Sequence, residues 1–206
     1  FASLFVPVLV TACIGVFVRR RGSQAEGPKA QLRVKEWMSH HVSDLALVLL
    51  YACVGILVTI IVFVLNLESA DSSTIAYDDI SHLAVIRSFL ETGNWSSLAV
   101  NTEFDLPDSS SGYYPAAWHL LSAAIVDLGG VTNLVAANAS LFLCCALFYP
   151  LGCLVFIKRL FAQRKDLQYI GAFFTLSFTA FPWYFLVHGR LVSNLLGFCF
   201  VPLMMA

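Results

Sequence analysis

Apolar and polar positions along this chain separate into long blocks. Phe1 to Val18 carries no charge, Leu45 to Leu65 is 21 residues without one, and Val131 to Ile157, Leu167 to Val187 and Leu191 to Ala206 repeat the pattern. A hydrocarbon core about 30 Å thick asks for about 20 apolar residues of helix, and the longer blocks meet that length. The pattern predicts an all-α, polytopic transmembrane helical bundle with spans at 1–18, 45–65, 131–157, 167–187 and 191–206. Tyr114 to Leu128 is apolar but too short to span, and Asp127 and Gly129-Gly130 close it. It is expected to be a re-entrant or surface-lying helix.

Composition agrees with a bilayer. Of 206 residues, 59% are hydrophobic and 12% charged, where soluble domains carry roughly 25% charge. The chain starts at Phe1 and stops at Ala206 inside an apolar block, so it reads as a fragment of one transmembrane domain. All six cysteines fall in apolar blocks without metal-ligand spacing and read as small hydrophobes.

Charge orients the blocks. The 19–44 stretch has six Lys/Arg against three acids, which makes it a cytoplasmic loop by the positive-inside rule, with flexible backbone expected over GSQAEGPK. Lys158, Arg159, Arg164 and Lys165 mark a second cytoplasmic turn. Between Asn66 and Tyr114 stand eight acids and a single base, Arg87, so 66–130 is expected to be an extracytoplasmic loop. The membrane, multi-pass, is the expected location and membrane lipid the expected partner. No nucleic-acid motif, Walker loop, zincin or nucleophile elbow is present.

Polar chemistry concentrates in YDDISHLAVIRSFLETGNW, Tyr77 to Trp95. As a helix, Ile80, Leu83, Ala84, Ile86 and Leu90 would gather on one apolar face lying on the membrane, ended by Thr92, Gly93 and Asn94. Asp78 lies four and Asp79 three residues before His82, so all three can converge on one point. Adjacent carboxylates repel, which raises one pKa toward the range of a general base, and a neighbouring histidine can relay the proton. A plain structural account stands beside this one: Asp78 as helix cap, Asp79 as a first-turn charge, His82 at the surface. Of the pair, Asp79 borders the apolar side, where a lipid-borne substrate would arrive.

A second cluster is SGYYPAAWH. Tyr114 and Trp118 would form an i, i+4 pair behind Pro115, either in an interfacial aromatic belt or beside His119, which is a core histidine or lines a polar cavity. A third feature is Arg190 at a span boundary, which either snorkels or binds a phosphate at headgroup depth. Asn94-Trp95-Ser96 and Asn138-Ala139-Ser140 match the glycosylation sequon, the second inside a span, where it is unusable.

The acidic pair Asp78-Asp79 at the head of the first long external loop, the helix running to Gly93-Asn94-Trp95 and the YYP entry into an apolar helix resemble the GT-C class of membrane glycosyltransferases. YDDISHLAVIRSFLETGNW, YYPAAWH and FPWYFLVHGRLVSNLLGFCFVPL are more closely similar to a bacterial family of multi-spanning membrane proteins of unknown function. The resemblance runs over roughly 45–202. It implies a polyprenyl-phosphate sugar donor, Asp79 or Asp78 as catalytic base, inversion at the sugar carbon, and Arg190 as partner of the donor phosphate. His82, Tyr114 and His119 complete the expected substrate-binding set. No metal ligands are indicated, and a divalent cofactor is left open. The alternative is a non-enzymatic transporter or cell-envelope assembly factor. A transporter should carry charged or broken helices at mid-membrane depth, and these spans are expected to carry almost none.

Overall fold

The computed structural model describes residues 28–73, 79–98, 100, 113–187 and 191–206, with backbone alone for 28–41, 79 and 187. The expected first span, 1–18, lies outside the described residues. The fold is all-α, with no β-strand among the described residues. Helix α1 is Pro28–Val62, α2 Asp79–Thr92, α3 Ala117–Gly129, α4 Asn133–Leu143, α5 Tyr149–Leu160, α6 Lys165–Phe174, α7 Tyr184–Val187 and α8 Val192–Met204. Contacts divide the chain into units 1–46 and 47–206. In the first, the described part is the N-terminal stretch of α1; the packing below belongs to the second.

Three helical stretches are long and apolar enough to cross a membrane: Val42–Asn66, Asn133–Leu160 and Lys165–Leu186. They coincide with three of the expected spans. The last expected span, 191–206, contains α8, an apolar helix of 13 residues. The polar 28–44 stretch, expected as part of a loop, is helical from Pro28 onward. Proline suits the first helical position, and the Ala, Gln, Leu, Arg, Lys and Glu that follow are strong helix formers.

One core joins α2, α3, α4 and α8 to the span-length helices. It contains Phe63, close to the end of the first, Ala137 and Leu141, close to the start of the second, and Leu186, at the end of the third. The three therefore share one end, and α2 and α3 pack on α4, at the start of the second. A second core, Leu47, Tyr51, Leu154 and Ala172, lies among α1, α5 and α6, where the Tyr51 hydroxyl donates to the Gln168 carbonyl at 2.9 Å.

Both later span-length helices are irregular, and proline is the reason in each. A π-helical turn at Cys144–Phe148 joins α4 to α5. Pro150 follows it and has no N–H to offer the Ala146 carbonyl four residues back. Gly55 of α1 packs against that carbonyl, and a Cβ there would overlap it and stand 2.9 Å from Pro150 Cγ. Lipid is as apolar as a protein core, so close packing of this kind carries much of the association between helices in a bilayer.

The third span-length helix is broken well before its last turn, where almost no such break was expected. Helix α6 stops at Phe174, and Phe181 is extended (φ −142°, ψ 134°) before the cis-linked Pro182. Proline removes a donor and pushes its predecessor out of the helical region. Side chains take up the freed carbonyls: Thr175 Oγ1 donates to Ala172 O at 2.7 Å, Ser177 Oγ to Phe173 O at 2.8 Å, and Trp183 Nε1 to Leu176 O at 2.9 Å. Such substitution is what permits a broken helix at membrane depth.

Candidate functional site

Helix α2 starts at Asp79 and ends where Gly93, at φ 67°, donates its N–H to Phe89 O at 3.1 Å. Its buried stripe is Val85, Ile86 and Phe89, with His82 one turn above, partly buried. The expected apolar face was set about one position out of phase. Ile80 is 81% exposed, while Val85 and Phe89, absent from that face, are fully buried. The cause is tertiary: α2 packs against α3 and α4, and the 82, 85, 86, 89 line faces them.

Helix α3 follows Pro115 and ends on Gly130, at φ 63°, whose N–H bonds Val126 O at 2.8 Å. Its inner face buries Trp118, His119, Ser122 and Ala123. The Ser122 and Ser140 hydroxyls meet at 2.8 Å and fix α3 to α4. Asn138 of α4 donates its amide to Ala70 O and Ser72 O, both at 3.0 Å, which ties down the segment leaving α1. That sequon asparagine is thus buried and engaged.

Where α2 meets α3, His82 Nδ1 lies 2.9 Å from His119 Nε2, so a single proton is shared between two imidazoles. Tyr114 stands edge-on to His119 at 5.3 Å between ring centroids, and Trp118 closes the other side at 5.1 Å and 87°. Tyr114 precedes the first turn of α3, so its partner is His119 rather than a helical neighbour at i+4. His119 is fully buried, and burial first, then the His82 ring, push its pKa down to about 3. It is therefore neutral at ordinary pH. Its Nδ1 and the Trp118 Nε1 are buried with no hydrogen-bond partner among the described residues.

Three of the six expected site residues, His82, Tyr114 and His119, come together here. Asp79 contributes the first residue of α2, three positions before His82, but its side chain lies outside the described residues, as do Asp78 and Arg190. Trp118 belongs to the cluster and was not among the expected site residues; the YYPAAWH cluster was the available signal. No group of three or more His, Cys, Asp or Glu that could hold a metal occurs among the described residues.

The whole chain, residues 1–206, matches one family, described as a family of unknown function (DUF6541). The chain belongs to that family. For this DUF6541 protein no curated protein and no solved structure gives a match. Membership agrees with the likeness to a family of unknown function that the Tyr77–Trp95 motif suggested.

Proposed function

We propose that this DUF6541 chain is part of a GT-C-like membrane glycosyltransferase acting at the outer membrane face on a polyprenyl-phosphate-linked sugar. The carrying observation is that α2, opened by Asp79, and α3 pack on α4 at the shared end of three span-length helices, with His82, His119 and Tyr114 at their junction. In this reading the Asp79 carboxylate, or Asp78 beside it, takes the proton of an acceptor hydroxyl. The oxygen attacks the sugar C1, the bond from C1 to the phosphate oxygen breaks with inversion, and polyprenyl phosphate leaves with the electron pair. Arg190 would neutralise that phosphate. His119, held neutral, orients His82 beside the acidic pair.

The test is sugar transfer from a polyprenyl-phosphate donor by the full-length protein with Asp79→Asn or Asp78→Asn. General-base catalysis contributes about 10²–10⁴-fold, so Asp79→Asn should lower turnover by that order and Asp78→Asn by less. Undiminished transfer in both variants sinks the base assignment.

A second reading has its own observation. The break between Phe174 and Trp183 lies within a span-length helix, and discontinuous helices are a mark of transporters. Movement of lipid-linked sugar across proteoliposomes without any glycosidic bond being made would favour a transporter over the enzyme.

A further inference from the structure

The segment joining α2 to α3 carries an apolar tip that the histidine site does not use. Trp95 stacks on buried Phe89, 6.5 Å between centroids and 21° from parallel, yet remains 38% exposed. The Tyr114 N–H donates to Ser97 O at 2.9 Å and binds the stretch after Trp95 to the one before Pro115. Leu98 and Tyr113, one on each side of that bond, are both 72% exposed.

The tip is built rather than loose. Asn94 N–H donates to Thr92 Oγ1 at 3.1 Å, Ser96 N–H to Asn94 Oδ1 at 3.2 Å, and Leu98 N–H to Ser96 Oγ at 3.2 Å. A hydrogen-bonded turn that leaves a leucine and the neighbouring tyrosine exposed beside a partly exposed tryptophan forgoes the gain that burying such side chains brings. Something apolar should cover it.

Its depth says what. Phe89, beneath Trp95, and Val100, two residues past Leu98, share a core with Phe63, three residues before the end of the first span-length helix. Helix α2, which carries Phe89, packs on α3 and on α4 at the start of the second span-length helix, the end at which acyl chains would give way to headgroups. Trp and Tyr are the side chains enriched at that boundary, having an apolar body and a polar atom. On α2, Arg87 pairs with Glu91 at 2.6 Å.

We infer that Trp95, Leu98 and Tyr113 form a membrane-interface anchor that inserts into the headgroup and upper acyl region of the adjoining leaflet, with phospholipid as its occupant. Through the Phe89 stack the anchor fixes α2, and with it the histidine cluster, at headgroup depth. This inference stands apart from the glycosyltransferase reading. The three anchor side chains are uncharged, so zwitterionic lipid suffices.

The experiment uses the full-length protein in phosphatidylcholine nanodiscs whose acyl chains are brominated either near the headgroup or near the chain end. The emission lost on Trp95→Phe isolates Trp95. Shallow bromines should remove most of that difference emission, deep bromines little, and aqueous iodide little; adding phosphatidylglycerol should change none of this. The double variant Leu98→Asp with Tyr113→Asp should melt as wild type does and become quenched by iodide instead. Iodide quenching in the wild type without a lipid effect overturns the anchor. Protection from all quenchers overturns it too, because a second copy or another protein then covers the tip, as does a lowered melting point in the aspartate variant.

Discussion

Replacing His119 by phenylalanine tests the buried histidine pair through its pH dependence. His119 has its folded pKa pushed from 6.5 down to about 3, chiefly by burial. A histidine with a depressed folded pKa leaves the unfolded chain as the better proton binder below pH 6.5, so its contribution is full above that pH and falls away toward pH 3. Between pH 7.5 and 5.5 the unfolded side chain goes from about a tenth to about nine tenths protonated while the folded one stays neutral. That difference amounts to about 1.4 kcal/mol of lost stability from this one group. Phenylalanine keeps a planar aromatic ring, somewhat larger than imidazole, forfeits the bond to His82, worth about 1 kcal/mol, and removes an orphaned buried nitrogen that costs about 1–3 kcal/mol. At pH 7.5 the variant should thus lie within about 1–2 kcal/mol of wild type. The assay is SDS titration of the purified protein in mixed micelles, followed by far-UV circular dichroism at both pH values. Wild type should lose about 1.4 kcal/mol more than His119→Phe on acidification. Equal pH slopes would refute the claim that His119 is desolvated and neutral in the fold.

The packing makes two further claims. Gly55→Ala should destabilise by about 1–3 kcal/mol, because the new methyl overlaps the Ala146 carbonyl beside Pro150. Gly197→Ala, with nothing within 4 Å of the added carbon, should not, and the same SDS titration compares them. Asn138→Ala removes two amide bonds to Ala70 and Ser72 and should cost about 1–2 kcal/mol. Its specific signature is faster proteolysis between Glu68 and Ser73, and an unchanged cleavage rate would contradict the tether.

What the sequence made legible was the set of long apolar blocks and their stops. Thr92-Gly93-Asn94 and Gly129-Gly130 announced helix ends, and both Gly93 and Gly130 adopt the positive φ that such ends require. The phase of α2 was harder, because lines of apolar residues on either side of Ile86 compete in LAVIRSFL. Which of them is buried depends on α3 and α4, well downstream in the chain. The break in the third span-length helix was half legible. Pro182 is visible as a breaker, but that Phe174 is the last regular residue depends on Thr175, Ser177 and Trp183 reaching carbonyls that sequence spacing does not single out. The His82–His119 contact joins residues 37 apart, so neither ring could be assigned a partner from its own helix.

That contact also constrains the direction of the hydrogen bond between the two rings. His119 stays neutral, so it carries one proton on one of its two nitrogens. When His82 is protonated both its nitrogens are donors, and Nδ1 must donate to His119 Nε2 at 2.9 Å. The proton of His119 then has to sit on Nδ1, the atom without a described partner. The pair is thereby polarised in one direction, with Nδ1 of His82 committed inward to His119. A buried neutral acceptor thus stands behind a partly buried imidazole. Replacing His119 with glutamine, which keeps an acceptor and stays uncharged, should preserve that orientation better than leucine. Glutamine should retain more activity than leucine if His119 serves as acceptor, and the two should fail alike if only its volume matters.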